Sequence, residues 1–234
     1  MGLLWWLPTA AVVFLMGVGA GGAFFRLLEP GPGFRLFFLA ILVALTSALV
    51  MSGAAALASA RGWSWRGSAV RGAAFPVLVT VLLLVMSLAG GGSHPIHDVT
   101  TDPGLDFSTR VEAHRPAGAE EREAVGAQQR ELYPDIEPLA VPRPPNEAFP
   151  IAVAIARETP GWQVTSSNPV LWRIEAAAET PIFHFVDDVV IVLAPVPGGS
   201  RVQMRSRSRI GQSDLGANAE RIRSYLAALG AEAR

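Results

Sequence analysis

The chain has 234 residues, of which 50% are hydrophobic and only 17% charged, and its formal net charge is −1. The length predicts no more than about two domains, and the near-neutral charge argues against nucleic acid as a partner. Cysteine is absent, which excludes disulfides and thiolate chemistry.

Charged residues are distributed unevenly along the chain. Residues 1–93 carry five Arg and one Glu, whereas residues 94–234 carry fourteen Arg and nineteen Asp or Glu. The first composition is typical of a membrane segment and the second of a globular domain. We therefore expect a membrane domain over residues 1–93 and a soluble α+β domain over residues 94–234, which is long enough to bury its own core.

Three uncharged hydrophobic segments predict three transmembrane helices, over about residues 3–25, 36–60 and 72–92. A helix rises 1.5 Å per residue, so about 20 residues cross a hydrocarbon layer of about 30 Å. Only a helix satisfies the backbone of such a segment inside lipid. The first segment lacks the basic start of a signal peptide and two more follow it, so we interpret it as an anchor.

The connections between these segments predict the orientation of the chain. The second connection carries Arg61, Arg66 and Arg71, whereas the first carries Arg26 and Arg35. Because Arg favours the cytoplasmic side, we expect a multi-pass protein of the bacterial inner membrane with its soluble domain in the periplasm. The spans hold no ionisable residue at depth, so a pump or a channel is not expected.

The soluble part contains signals for helices and strands in a mixed order. A turn-rich segment over 93–108 precedes a polar helix over 117–132 and a proline-rich connector over 133–145. The segment 146–158 favours a helix, although its apolar residues also alternate as in a strand. The segments that follow are strands over 162–166, 170–178 and 186–195, a hairpin turn at 197–200, and a return strand over 201–210.

The chain closes with an amphipathic helix over 214–229. Its predicted apolar face consists of Leu215, Ile222, Leu226 and Leu229. The order of helices and strands predicts an antiparallel sheet with helices on one face, which is a two-layer α+β domain.

An arginine row, which we define as Arg205, Arg207 and Arg209, is the sharpest candidate site. Alternate residues of a strand share one face, so the three guanidinium groups would lie about 6–7 Å apart. Arg binds phosphate, sulfate and carboxylate bidentately. With Arg173, the row predicts binding of an anionic small molecule or a lipid headgroup. The alternative is cross-strand ion pairing, for which the candidate partners are Glu175, Asp187 and Asp188.

A second candidate site is His94-x-x-His97-Asp98, with Asp102 nearby. A neutral His beside an Asp can act as a base, and His with carboxylates can bind zinc. The weak catalytic candidates are His97 and Asp98. No third ligand lies close in sequence, so no metal site and no cofactor are predicted. The alternative is a polar extended segment whose Asp side chains cap turns.

Four stretches of the soluble part together resemble the bacterial domain-of-unknown-function 1499 family. They are Ile96–Pro103, Tyr133–Leu139, Phe185–Val190 and Arg205–Asn218, and the resemblance covers about residues 94–230. It implies that hydrophobic helices anchor some members, as here, and it implies no activity. It also indicates that the first and last of these stretches are the places to test.

Three functional hypotheses follow from these patterns. We expect first a membrane-anchored, extracytoplasmic binding or interaction module that holds an anionic ligand or an envelope protein. The second hypothesis is a hydrolase of the cell envelope that uses His97 and Asp98, with or without a metal. The third is a structural subunit of an envelope complex.

Overall fold

The computed structural model describes residues 2–89, 96–105, 107, 119–211 and 214–234. The chain divides into two compact units. One comprises Met1–Gly92 with Pro181–His184, and the other comprises Ser93–Thr180 with Phe185–Arg234. The first is helical and the second is built on an antiparallel sheet, so the chain belongs to the α+β class.

The helical unit begins with a continuous helical run that contains three kinds of helix. Its parts are a 3-10 helix at Gly2–Trp6, α1 at Leu7–Met16, a π-helical stretch at Gly17–Gly21 and α2 at Gly22–Phe24. Two longer helices follow, α3 at Pro30–Ala60 and α4 at Arg66–Ala89. Proline occupies the first position of α3, where its missing N–H costs nothing.

Two helical runs in the described part of the chain are long and apolar enough to cross a membrane, rather than the three expected. They are Leu4–Phe24 and Pro30–Ala60, with mean hydropathies of 1.7 and 2.3. Only 17% and 22% of their most apolar windows are buried, whereas a core helix of a soluble protein is mostly buried. The expected third span overlaps α4, and its residues 90–92 lie outside the described residues.

The helices of this unit pack closely at two glycines. A Cβ placed on Gly19 would lie 2.6 Å from the backbone nitrogen of Phe37 and 2.8 Å from the carbonyl oxygen of Gly33. Small residues allow such close approach, which increases the van der Waals contact between helices. At the other end of the first run the rings of Trp5 and Trp65 stack with their centroids 5.0 Å apart.

The second unit contains six antiparallel strands among its described residues. They are β1 at Asp98–Thr100, β2 at Leu139–Val141, β3 at Trp162–Asn168, β4 at Arg173–Glu179, β5 at Val186–Val196 and β6 at Gly199–Ser208. The strand order is β1-β6-β5-β4-β3, and β2 also pairs with β6. The longest pairing joins β5 to β6 through a tight turn at Pro197–Gly198.

One glycine is required where β2 meets this hairpin. A Cβ on Gly199 would lie 2.0 Å from the carbonyl oxygen of Val141, which is an impossible contact. Gly198 before it has a φ of +82°, a value that favours glycine. The hairpin predicted at 197–200 therefore depends on both glycines.

Three helices complete the second unit, α5 at Ala119–Leu132, α6 at Pro145–Glu158 and α7 at Ala217–Glu232. The apolar faces of α6 and α7 supply Phe149 and Leu229 to a core that also holds Ile191 and Met204 from the sheet. These four side chains are at most 5% exposed. Burial of one such side chain contributes about 1.5–3 kcal/mol.

Several boundaries differ from the sequence-based expectation, for one physical reason. Strand β6 ends at Ser208 and α7 begins at Ala217, because the described residues between them lie in bends and turns. Leu215, which was expected on the apolar face of the last helix, is 69% exposed, and Ile210, the last residue of the expected return strand, is 60% exposed. In the same way β4 begins at Arg173, because Val170 and Leu171 form an exposed turn. Strands β1 and β2 were expected to be irregular.

Candidate functional site

Two members of the arginine row, Arg205 and Arg207, lie on β6, whereas Arg209, which was expected on the same strand, lies beyond its end at Ser208. Val202, Met204 and Ser206 of this strand are fully buried, whereas Arg205 and Arg207 point to the other face and are partly exposed. Arg209 follows the last residue of the strand, and Arg173 is the first residue of β4.

Each arginine of the predicted anion site lies within ion-pair distance of a carboxylate. Arg205 donates from Nε and Nη2 to the two oxygens of Asp98, at 2.8 and 2.6 Å, and Arg207 Nε lies 3.8 Å from the same carboxylate. Arg209 donates to Asp188 at 2.6 Å, and Arg173 to Glu175 at 2.9 Å. An anion at these positions would compete with carboxylates already in place.

The strongest of these pairs involve partners distant in sequence. The hydrogen bonds that Arg209 donates to the carboxylate of Asp188 raise the pKa of Arg209, so this guanidinium remains charged. Asp98 comes from β1, where it faces Arg207 in the register of β1 and β6. The cross-strand pairs considered in the sequence included Asp188, but they did not include Asp98.

In the structure, His97 and Asp98 form hydrogen bonds that join β1 to β6 and α7. Asp98 is the bidentate partner of Arg205. The backbone carbonyl of His97 accepts hydrogen bonds from Ser208 N at 2.9 Å and from Asn218 Nδ2 at 3.0 Å. His94 lies outside the described residues. Among those that are described, no group of three or more His, Cys, Asp or Glu could hold a metal ion.

The edge of β6 carries an interrupted strand. β1 pairs with β6, and its last residue Thr100 lies opposite Arg205. Thr101 extends this pairing, because its N–H and its hydroxyl form hydrogen bonds with the backbone of Met204. The chain then leaves the sheet and returns at Leu139, opposite Val202. The described residues between these points, 102–105, 107 and 119–138, belong to an insertion between β1 and β2 that includes α5.

A groove of about 840 Å³ opens where the edge strand is interrupted. Its volume lies within the range of small-molecule sites, about 300–1,000 Å³. The lining residues come from the two ends of the insertion, from α5 and from the β5–β6 hairpin: Thr100, Thr101, Asp102, Pro103, Gln129, Arg130, Tyr133, Pro134, Ile136, Glu137, Pro138, Ala140, Val196 and Arg201. Two of the four stretches that carry the family resemblance, Ile96–Pro103 and Tyr133–Leu139, thus contribute to one groove.

Gln129 of α5 attaches the helix to this edge. Its side-chain oxygen accepts from Thr100 N at 2.8 Å, and its Nε2 donates to Thr100 O at 2.6 Å. The amide group thereby replaces the neighbouring strand that the backbone of Thr100 lacks. Gln129 is 2% exposed, so this side of the groove is held in a fixed geometry.

Arg201 is the cationic residue of β6 that lines the groove. Its side chain is 51% exposed, and its Nη2 lies 3.9 Å from Asp102 Oδ2. The carboxylate of Asp102 is held by other donors, because Oδ2 accepts from Gln203 Nε2 at 2.7 Å and Oδ1 accepts from Gly104 N at 3.0 Å. Arg201 therefore lacks the close bidentate contact that Arg205 makes.

A tyrosine and an ion pair lie at the α5 end of the groove. Burial and, to a lesser extent, the negative charge of Asp214 raise the pKa of Tyr133. The guanidinium of Arg223 lies over the Tyr133 ring, 5.5 Å from its centroid. Arg223 also donates to both oxygens of Asp135, and this hydrogen bonding lowers the pKa of Asp135.

A buried polar cluster on the helix side of the sheet was not predicted from the sequence. We call it the Arg221 cluster, and it consists of Asp187, Ser206, Asn218 and Arg221. Arg221 donates to Asp187 at 2.7 Å and to Ser206 at 2.8 Å, and it also donates to Asn218 Oδ1. Asp187, Ser206 and Asn218 are at most 3% exposed.

The Arg221 cluster explains much of the Arg205–Asn218 stretch in structural terms. Asn218 joins α7 to the sheet, because its Nδ2 also donates to Ser208 Oγ at 3.1 Å. Asp214 accepts from Gly216 N and Asn218 N at 3.0 and 2.6 Å, which satisfies N–H groups at the start of α7. Gly216 has a φ of +86° at this turn.

Sequence reasoning named Arg173 and the arginine row, which are not among the lining residues of the groove, and it missed Arg201 and Gln129, which line it. Arg201 begins the expected return strand over 201–210, yet nothing local distinguished it from its neighbours. The proline-rich run 133–145 was the one available signal, since such a segment must pack on something to be ordered.

Comparisons with known proteins give one finding on relatedness. No match was found among the curated proteins or among the solved structures. A family model described as "Protein of unknown function (DUF1499)" matches residues 100–229, which is more than half of the chain. The matched range includes the groove, β2 to β6 and the Arg221 cluster. The chain therefore belongs to the DUF1499 family.

Proposed function

We propose that this protein is a membrane-anchored binding module that holds an anionic ligand in the groove at the interrupted edge strand. The observation that supports this proposal is that Arg201 is exposed in the groove and has no close ion-pair partner among the described residues. Its guanidinium is half exposed in the groove, while Gln203 and Gly104 occupy the nearby carboxylate of Asp102. A bound anion would give Arg201 the close charge-assisted hydrogen bonds that Asp102 does not provide.

The ligand is still an anion, as expected from the sequence, but its first contact is Arg201 rather than the arginine row. Arg205 and Arg209 each make two or more hydrogen bonds to a carboxylate, so a ligand would have to displace a partner. Arg201 has no such competitor at hydrogen-bond distance among the described residues. Arg130, which is exposed and also lines the groove, is a second cationic contact.

Membrane anchoring is supported by the helical unit. Its two apolar runs expose large side chains that water does not favour; Leu49, for example, is 78% exposed. We propose that α4, with its uncharged sequence after Arg71, provides a third span. Three arginines around the junction of α3 and α4 (Arg61, Arg66 and Arg71), against two around the preceding junction (Arg26 and Arg35), support a bacterial inner-membrane location with the sheet unit in the periplasm.

The binding proposal is tested with the full chain in a non-ionic detergent. Inorganic phosphate is titrated by isothermal calorimetry into the wild type, Arg201→Gln and Arg157→Gln. Arg157 is an exposed arginine of α6 that does not line the groove, so it is a matched control. We expect Arg201→Gln to weaken phosphate binding by roughly tenfold or more, as loss of a charged hydrogen bond predicts.

Two results would contradict the proposal. Phosphate that fails to bind the wild type shows that the groove is not an anion site. Equal binding by Arg201→Gln and the wild type shows that the anion contacts another residue. The variant Arg205→Gln separates the two arginine roles, because we expect it to lower thermal stability and to retain phosphate binding.

A further inference from the structure

The groove also offers an apolar surface that an inorganic anion would not use. Its lining includes Val196, which is 37% exposed, together with Ala140 and three prolines. The prolines are Pro103, Pro134 and Pro138. These residues belong to the same cavity as Arg201 and Arg130, so one ligand can meet cationic and apolar groups together.

The size of the groove also exceeds what a bare anion requires. A water molecule occupies about 30 Å³ of liquid, and a phosphate is only a few times larger. A cavity of about 840 Å³ therefore leaves most of its space for another part of the ligand. Small-molecule sites gain most of their affinity from apolar contact, while a few polar groups fix orientation.

We infer that the ligand is a lipid with one anionic phosphate-type head group, which contacts Arg201 while the first part of its apolar chain packs on Val196 and the prolines. The inference rests on the proposed function and specifies its ligand. The guanidinium groups of Arg201 and Arg130 select an anionic head group, and the carboxylates of Asp102 and Glu137 in the same lining disfavour a second negative charge on it. The apolar lining selects the chain. Lipids are also the amphiphiles to which a protein anchored by its apolar helices is most exposed.

Three small probes separate the head group from the chain. Methyl phosphate carries the anion, hexanol carries the chain, and hexyl phosphate carries both. Each is titrated by calorimetry into the full chain in phosphatidylcholine nanodiscs, with the signal of protein-free nanodiscs of the same composition subtracted to remove partition into lipid. We expect hexyl phosphate to bind at least roughly tenfold more tightly than methyl phosphate, since each buried methylene adds affinity.

A second measurement tests the lipid itself. The titration with hexyl phosphate is repeated in nanodiscs that contain phosphatidic acid. We expect phosphatidic acid to suppress the binding of hexyl phosphate, because both would occupy the groove. The variant Val196→Ser should reduce the ratio of hexyl phosphate affinity to methyl phosphate affinity.

The outcomes separate this inference from the proposed function. Equal affinity for methyl and hexyl phosphate overturns the apolar contact and leaves the anion site standing. Binding of hexyl phosphate that phosphatidic acid does not suppress overturns the lipid as ligand. Absence of binding by either phosphate overturns both the inference and the proposed function.

Discussion

The side chains of Gln203 and Asp102 are joined by a hydrogen bond of 2.7 Å, although 101 positions separate them in the sequence. Gln203 is only 7% exposed, whereas the Asp102 side chain is 29% exposed, so the bond joins a buried amide to a partly exposed carboxylate. It occupies the oxygen of Asp102 that lies nearest to Arg201, at 3.9 Å. The buried amide of Gln203 therefore competes with Arg201 for the carboxylate of Asp102.

Replacement of Gln203 tests this relationship. Gln203→Leu frees Asp102 to pair with Arg201, and an exposed ion pair of this kind is worth up to about 1 kcal/mol. We expect phosphate binding to weaken by roughly threefold in calorimetric titration. Gln163→Leu is the matched control, because Gln163 is an exposed strand residue of β3. Unchanged phosphate affinity in Gln203→Leu would show that Asp102 does not compete for Arg201.

The Arg221 cluster predicts a large stability effect. Arg221→Met leaves the buried carboxylate of Asp187 without its ion-pair partner, which costs about 3–5 kcal/mol. Denaturant titration of the full chain at fixed detergent concentration, followed by hydrogen exchange of β5 and β6 amides, measures this cost. The exposed Arg157→Met should change stability by less than about 0.5 kcal/mol. Similar stabilities of the two variants would mean that Arg221 contributes nothing net.

The pair of Arg223 and Asp135 predicts a pH effect with a definite sign. Hydrogen bonds from Arg223 lower the pKa of Asp135 in the folded state. The stabilisation is therefore present above the unfolded pKa, about 3.9, and is lost as pH falls through the lower folded value. Titration of the Asp135 carboxyl carbon by NMR should show a midpoint below 3.9. Arg223→Gln should raise this midpoint, and an unchanged midpoint would exclude Arg223 as its cause.

The contact between Gly199 and Val141 predicts intolerance to a single methyl group. Gly199→Ala places a Cβ 2.0 Å from a backbone oxygen, so β2 must separate from β6. We expect a loss of about 1–3 kcal/mol, measured by thermal unfolding. Gly230→Ala is the control, because its Cβ would meet only Leu139 at an ordinary 3.6 Å. A Gly199→Ala variant as stable as Gly230→Ala would contradict the pairing of β2 with β6.

Because the chain contains no cysteine, single introduced cysteines can establish its orientation. Ser167→Cys places a thiol on an exposed position of β3, and Ser64→Cys places one on the exposed connection between α3 and α4. A periplasmic sheet unit predicts labelling of Ser167→Cys in intact cells by a membrane-impermeant maleimide. Ser64→Cys should react only after the cells are permeabilised. The reverse pattern would place the sheet unit in the cytoplasm.

Local patterns predicted the longer elements well, because each signal is repeated over several residues. The helix at 145–158 and the strand at 186–196 were expected with errors of one residue at a boundary. Strands β1 and β2 have only three residues each, which is too short for alternation to be read. They are strands because the backbone of β6 offers an edge to pair with, and that edge is a tertiary property.

In the candidate site, too, local patterns predicted some features, whereas others depend on the tertiary structure. The alternation in the arginine row correctly assigned Arg205 and Arg207 to one face, and Ser206 between them is buried. It could not assign partners, since Asp98 lies 107 positions from Arg205. Nothing in the local sequence distinguishes Arg221 from an exposed helical arginine. It is nevertheless part of a buried cluster, because its guanidinium donates hydrogen bonds to the buried polar atoms of Asp187, Ser206 and Asn218.

The sequence by itself determined which segments avoid water and which alternate, because hydrophobic periodicity is written in neighbouring residues. It thereby determined the helical unit, most of the sheet and the face that carries the arginines. Only the tertiary structure decided which arginine is held by a carboxylate and which is left at a groove. That distinction depends on distances of a few ångströms between residues about a hundred positions apart, and no local pattern encodes them.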